Sequence, residues 1–240
     1  MRRAWIPPSL MLLASFLLVG CSSKKSTNAM EPPVIDPANF VSVISNPYLP
    51  LTPGTVFRYE GTTDGRPEVS TVRVTHQTKR LLGVSCVVVA DSVWVEEKLE
   101  EVTADWYAQD KDGNVWYFGE DSKAYENGQV VSTEGSWEAG VDGAQPGYVM
   151  KANPQVGESY RQEYYEDEAE DMAQVLGLQE SITVPYGSHQ NCLETKEWTP
   201  LEPGITEHKY YATGVGLLKV VTVEGGSDHS ELVSVVTEGK

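Results

Sequence analysis

The sequence predicts an all-β protein: a single curved antiparallel sheet, a meander forming a half-open barrel, with one possible helix near residues 165–177. Two observations predict it. From residue 40 onward, β-branched and aromatic residues fall in short runs of period two, the pattern of half-buried strands. Clusters of Gly, Pro, Asn and Asp punctuate those runs at the spacing of hairpin turns, and nothing after residue 40 marks a second domain.

The first twenty residues stand apart. Met1-Arg2-Arg3 is a basic start, residues 10–19 are apolar, and Ser22-Ser23-Lys24-Lys25 follows Cys21. The apolar run is too short to cross a bilayer, which takes about 20 helical residues, and it has the layout of a secretory leader. Its ending, Leu18-Val19-Gly20-Cys21, resembles the lipobox of bacterial lipoproteins. That resemblance implies a signal peptide over residues 1–20, cleavage before Cys21, and acyl chains, palmitate among them, carried by Cys21. Ser22 behind the cysteine implies, by the same resemblance, sorting to the outer membrane of the bacterial cell envelope. Several acyl chains exceed what stable anchoring needs, so the body requires no membrane-seeking surface of its own.

Composition narrows the partners. The chain of 240 residues has 18 basic and 35 acidic side chains; without the leader, which contains Arg2 and Arg3, 16 face 35. A balance this acidic excludes nucleic acid, whose phosphates need a basic footprint. It also argues against the folded body lying on an anionic bilayer. The anchor is the expected membrane contact. Residues 21–39 form a flexible linker with Pro32, Pro33 and Pro37, spanning on the order of 20–25 Å, and residues 40–240 are the single all-β domain.

The strands follow in order. Residues 46–54, with three prolines and Gly54, make a turn-rich lead-in. Residues 55–60 and 69–75 alternate; in the second, Ser70, Val72 and Val74 share one face and Val69, Thr71 and Arg73 the other. Residues 84–95 begin almost continuously apolar, as a strand covered on both faces does. The clearest hairpin joins residues 105–109 to 114–118 through Asp110-Lys111-Asp112-Gly113, and Glu126-Asn127-Gly128 turns back into residues 129–133. Residues 139–157 break the rhythm with four glycines and two prolines, and are expected to be a long loop forming a lid or rim. Residues 165–177 fit either a helix, through Ala169, Met172, Ala173 and Leu176, or a strand of period two. Five further strands are expected, over residues 181–184, 192–198, 207–211, 216–223 and 231–237.

The C-terminal third carries a second resemblance. Thr183-Val184-Pro185-Tyr186-Gly187-Ser188, then Lys209-Tyr210-Tyr211-Ala212-Thr213-Gly214-Val215-Gly216, resembles a group of all-β bacterial envelope proteins without assigned function. Segments 46–54 and 105–119 resemble the same group. Some of its members resemble the half-closed barrels of periplasmic lipoprotein carriers, which implies a concave sheet for a lipid-like ligand; fold by itself does not fix function.

Catalytic motifs are not seen. No glycine-flanked serine elbow, zinc-protease helix motif, paired-cysteine motif or phosphate loop occurs. His76, His189, His208 and His229 have no ligand spacing, and Asp110-Lys111-Asp112-Gly113-Asn114 brings its glycine too early for a calcium loop. No metal and no cofactor is expected. Cys86 and Cys192, the cysteines beyond Cys21, are expected to pair as a disulfide in an oxidising compartment. Trp106, Trp116, Tyr148 and Met150 are the candidate groove and lid residues. The reading is a non-catalytic, lipid-anchored envelope lipoprotein that holds an apolar or lipid-like ligand, or an envelope protein partner, on its concave sheet. The alternative is a hydrolase of envelope polysaccharide working through paired carboxylates.

Overall fold

The computed structural model describes residues 33–237. The leader, Cys21 and most of the 21–39 linker lie outside the described residues. Within them the chain is built of strands, and no helix is long and apolar enough to cross a membrane.

A short 3-10 turn, Pro37–Asn39, leads into β1 (Phe40–Val41), β2 (Ile44–Asn46) and β3 (Leu49–Leu51). Four long strands follow: β4 (Thr55–Thr63), β5 (Arg66–Leu81), β6 (Val84–Val95) and β7 (Lys98–Asp110). Next come β8 (Val115–Glu126), β9 (Gln129–Ser132), β10 (Trp137–Glu138), β11 (Gln145–Met150), β12 (Ser159–Arg161) and β13 (Glu163–Tyr164). The last five are β14 (Met172–Val184), β15 (Gly187–Trp198), β16 (Thr206–Ala212), β17 (Gly216–Glu224) and β18 (His229–Thr237).

All but β2 and β3 belong to one antiparallel sheet, whose main path runs β12-β14-β15-β16-β17-β18-β4-β5-β6-β7-β8-β11-β13, with β1 paired to β7 and β9 and β10 to β8. The two ends of that order are consecutive in the chain, with only Gln162 between them. The sheet is therefore a barrel nearly closed on itself, and its single seam is bridged by residues 159–164. Closure removes most of the unpaired edge that an open sheet would present. The β2–β3 hairpin touches both β7 and β17, which lie apart in the sheet order, and buries Ile44, Leu49 and Leu51.

The turns form for the reasons the sequence suggests. In the β7–β8 hairpin, Gly113 takes φ +93°, and Asp110 accepts hydrogen bonds from the Asn114 backbone and side-chain amides, each at 2.9 Å. Asn127 and Gly128 adopt φ 49° and 77°, the left-handed pair of a tight hairpin.

One open alternative is decided and one expectation needs correction. Residues 165–177 hold no helix: Tyr165 and Ala169 form a bridged tight turn, and β14 begins at Met172. Ala173 and Val175 are fully buried while Met172, Gln174 and Leu176 are half-buried, so period two wins and the helical spacing is a coincidence. The expected long loop at 139–157 contains β11, which pairs with β8 on one side and β13 on the other.

Candidate functional site

The interior is divided in character. Part is ordinary apolar core, filled by Phe57, Val72, Val74, Leu193, Leu217 and Leu232. Beside it lies a contiguous set of carboxyl groups: Glu68, Asp91, Asp105, Glu120, Glu163, Glu197 and Glu207 are all buried, and Glu101 and Asp171 adjoin them. Lys209 is the only buried lysine or arginine among the described residues, and it pairs with Glu197 at 2.7 Å.

Local geometry assembles this cluster. The ladder sets Asp105 opposite Glu120, and Asp91 opposite Thr103. Gly119, at φ +124°, kinks β8 so that Tyr117 and Glu120 serve the same site. A Cβ at Gly119 would overlap the Trp137 carbonyl oxygen, so only glycine fits. The Tyr117 hydroxyl lies 2.7 Å from Asp105 Oδ1 and 3.1 Å from Glu120 Oε2, linking the two carboxyls. Trp137 donates its indole N–H to Glu163 at 2.9 Å and packs edge-on against Tyr117. Thr195 and Tyr211 donate to Glu197 at 2.8 and 3.2 Å.

Burial disfavours charge here, and the carboxyls repel one another. Desolvation and then the neighbouring Asp171 push Glu163 well above the usual carboxylate range. Desolvation also raises Glu120 and Asp91, and holds Asp105 and Asp171 at about 7. Lys209 stays charged because Glu197 and Glu207 outweigh its own desolvation. Two polar atoms in this region, Asp91 Oδ1 and Ser70 Oγ, make no hydrogen bond among the described residues. A cavity of about 20 Å³ between Asp171, Glu197, Glu207 and Lys209 has room for one water.

The second feature lies on the outer face of the sheet. Asp36 caps the 3-10 turn by accepting from the Ala38 backbone at 3.0 Å, and the Lys111 backbone N–H holds Asn39 at 2.8 Å. This seats Phe40 against Trp116 and Phe118, with ring centroids 6.0 and 5.6 Å apart. A hollow of about 360 Å³ opens between the lead-in chain and β8, lined by Val34, Ile35, Ala38, Phe40 and Trp116, with Asp36, Asn39 and Lys111 as its polar members.

The structure does not gather the four predicted groove residues into one concavity. Trp116 and Tyr148 touch, centroids 4.1 Å apart, across the β8–β11 ladder. Trp106 lies beneath Lys79, whose Nζ is 3.4 Å from its ring centroid. Met150 is fully buried in the core. Cys86 and Cys192 stand as two separate buried thiols, in place of the expected bridge. Their strands, β6 and β15, are not neighbours in the sheet, and each cysteine packs as a small apolar side chain. Burial pushes the Cys86 thiol up to about 12. Asp110, the first residue of the calcium-like run, spends its carboxylate on Asn114 and on the Trp116 indole N–H at 2.9 Å.

Sequence reasoning missed the interior carboxyls altogether. No protein-family model matches the chain, and no curated protein matches it. Two solved structures share a distant likeness. One is a candidate exported protein with a YmcC-like fold from Bacteroides fragilis, at 15% identity and TM-score 0.46. The other is a candidate lipoprotein from Parabacteroides distasonis, at 14% identity and TM-score 0.44. In both cases the match covers 79% of this chain and 98% of the other. Likenesses this faint fix neither family nor function.

Proposed function

We propose that the protein is a lipid-anchored lipoprotein of the bacterial cell envelope, tethered through Cys21, whose body binds a single-chain amphiphile and performs no catalysis. The supporting observation is the outer-face hollow. Its volume of about 360 Å³ falls in the range of small-ligand sites, roughly 300–1,000 Å³. Val34, Ile35, Phe40 and Trp116 offer apolar contact, while Lys111 and Asn39 offer donors to a polar head. Only twelve residues separate Cys21 from Val34, so the hollow lies at the part of the body nearest in sequence to the anchor. The barrel interior, lined in part by carboxyls, is a poor host for an acyl chain; the ligand is assigned to the outer face.

Dibromostearate, whose bromines quench indole fluorescence on contact, tests this reading. The full chain should show saturable quenching at one ligand per protein, absent in Trp116→Phe. Lys111→Glu should weaken binding about tenfold, the loss of one charge-assisted contact of roughly 1.4 kcal/mol. Quenching that persists undiminished in Trp116→Phe, or none in the parent chain, overturns the reading.

One observation favours the hydrolase alternative: Asp105 and Glu120 sit within reach of one phenol, as paired carboxyls would. Both are buried, at 2% and 5% exposure, so a polysaccharide would reach them only if the barrel opened. Reducing-sugar release from envelope polysaccharide that disappears in Glu120→Gln would restore that reading.

A further inference from the structure

The barrel closes on very little. β12 pairs through Ser159, Tyr160 and Arg161 with β14, and β13 pairs through Glu163 and Tyr164 with β11. Opposite Glu163 in the ladder stands Pro146, which has no N–H to give. Beside it, Gly147 lies so near the backbone of Arg161 and Gln162 that a Cβ would come within 2.6 Å of both carbonyl oxygens. One further backbone bond, Gln162 N–H to Asp171 carbonyl at 2.8 Å, lies within these residues, and two between residues 157–158 and Val175 flank them. By contrast, β5 and β6 are paired along most of their 16 and 12 residues.

This thin closure carries Glu163 into the carboxyl cluster. The groups facing Glu163 come from every surrounding element: Asp171 from the turn before β14, Asp105 from β7, Glu120 and the Tyr117 phenol from β8, Trp137 from β10 and Lys209 from β16. Lys209, the one cation in that set, is already paired with Glu197 and lies beside Glu207. An ionised Glu163 would therefore meet several carboxylates and a lysine whose charge is largely committed, in a dry interior where repulsion is poorly screened. Its strand is held there by only two ladder pairs, one of them to a proline.

We propose that residues 159–164 form a pH-governed latch: while the carboxyl cluster is protonated the seam is closed, and as the cluster ionises Glu163 leaves and the seam opens, with the long strands staying paired. Opening would admit water and solutes to the carboxyl-lined interior. The direction agrees with the raised proton affinities of Glu163, Glu120, Asp105 and Asp171. The latch is independent of the outer-face hollow.

Hydrogen exchange of the full chain tests it, with intrinsic exchange rates corrected at each pH. Protection of residues 159–164 and of β11 should fall at least tenfold between about pH 5 and about pH 9, while β4, β5 and β6 keep theirs. Glu163→Gln retains the acceptor for Trp137 but cannot ionise, and should keep the seam protected at alkaline pH. Asp171→Asn removes the strongest repelling neighbour of Glu163 and should do the same in part, which serves if Glu163→Gln does not fold. Protection at the seam that is independent of pH, or lost in step with β4–β6, overturns the proposal. An unchanged pH response in a folded Glu163→Gln overturns it equally.

Discussion

Replacing Asp105 with asparagine takes one ionisable group out of the interior and alters little else. The side chain is buried, and the Tyr117 hydroxyl donates to its Oδ1 at 2.7 Å, a bond that an amide carbonyl can also accept. Burial holds the Asp105 carboxyl at about 7, against an ordinary value of 3.8. Between those values the folded chain keeps a proton that the unfolded chain has released. Stability from this group is therefore fully present below about pH 4 and is lost as pH rises toward about 7. At about 1.4 kcal/mol per pKa unit the loss reaches at most about 4 kcal/mol, shared in practice with Glu120 through Tyr117. Urea unfolding across that window measures it. At about pH 4 the variant should be less stable by about 1 kcal/mol, the difference between a good and a poorer hydrogen bond. By about pH 8 the order should reverse by several kcal/mol. Parallel pH profiles for parent and variant would refute a buried, proton-holding Asp105.

Three other outcomes follow from the same structure. Lys209→Met should destabilise the protein by about 3–5 kcal/mol near neutral pH in urea unfolding, because Glu197 is left buried without its cation. Gly147→Ala should cost about 1–3 kcal/mol and lower exchange protection first at residues 159–164, since the new methyl meets the Arg161 and Gln162 backbone. Cys86 and Cys192 should resist alkylation in the folded protein and both react after unfolding without reductant; an intact bridge in non-reducing mass analysis would contradict the two free thiols.

The architecture was legible because its signals are local. Alternation in β5 put Ser70, Val72 and Val74 on one shared face, which the structure buries, and Asp110 to Asn114 announced the β7–β8 hairpin. The acidic interior was not legible, and β7 shows why. Its residues divide into Glu101, Thr103 and Asp105 on one face and Val102, Ala104 and Trp106 on the other. Hydrophobicity assigns the second face to the core, yet the first points inward: Thr103 and Asp105 are buried, Val102 and Ala104 stay half-buried, and Trp106 is covered on the outside by Lys79. Where an apolar outer face is itself partly covered, hydrophobicity alone gives no clue to which side is the inside. Trp106 and Trp116 were assigned to a concave groove because they are large aromatics on expected strands of a sheet read as open. β11 was hidden differently: Pro146 and Gly147 read as loop residues, whereas the strand needs a glycine to pass the Arg161–Gln162 backbone. The disulfide was inferred from compartment and number alone, and sequence holds no measure of which strands face each other.

The central claim is that an acyl-anchored body carries an amphiphile in its outer hollow. Native mass spectrometry of the full-length gene product, extracted from membranes in mild detergent, tests it most directly. The prediction is a chain beginning at Cys21 with covalent acyl mass, plus one non-covalent lipid-like adduct that is absent in Trp116→Phe. A chain retaining residues 1–20 without acyl mass, or an acylated chain with no adduct, would contradict it.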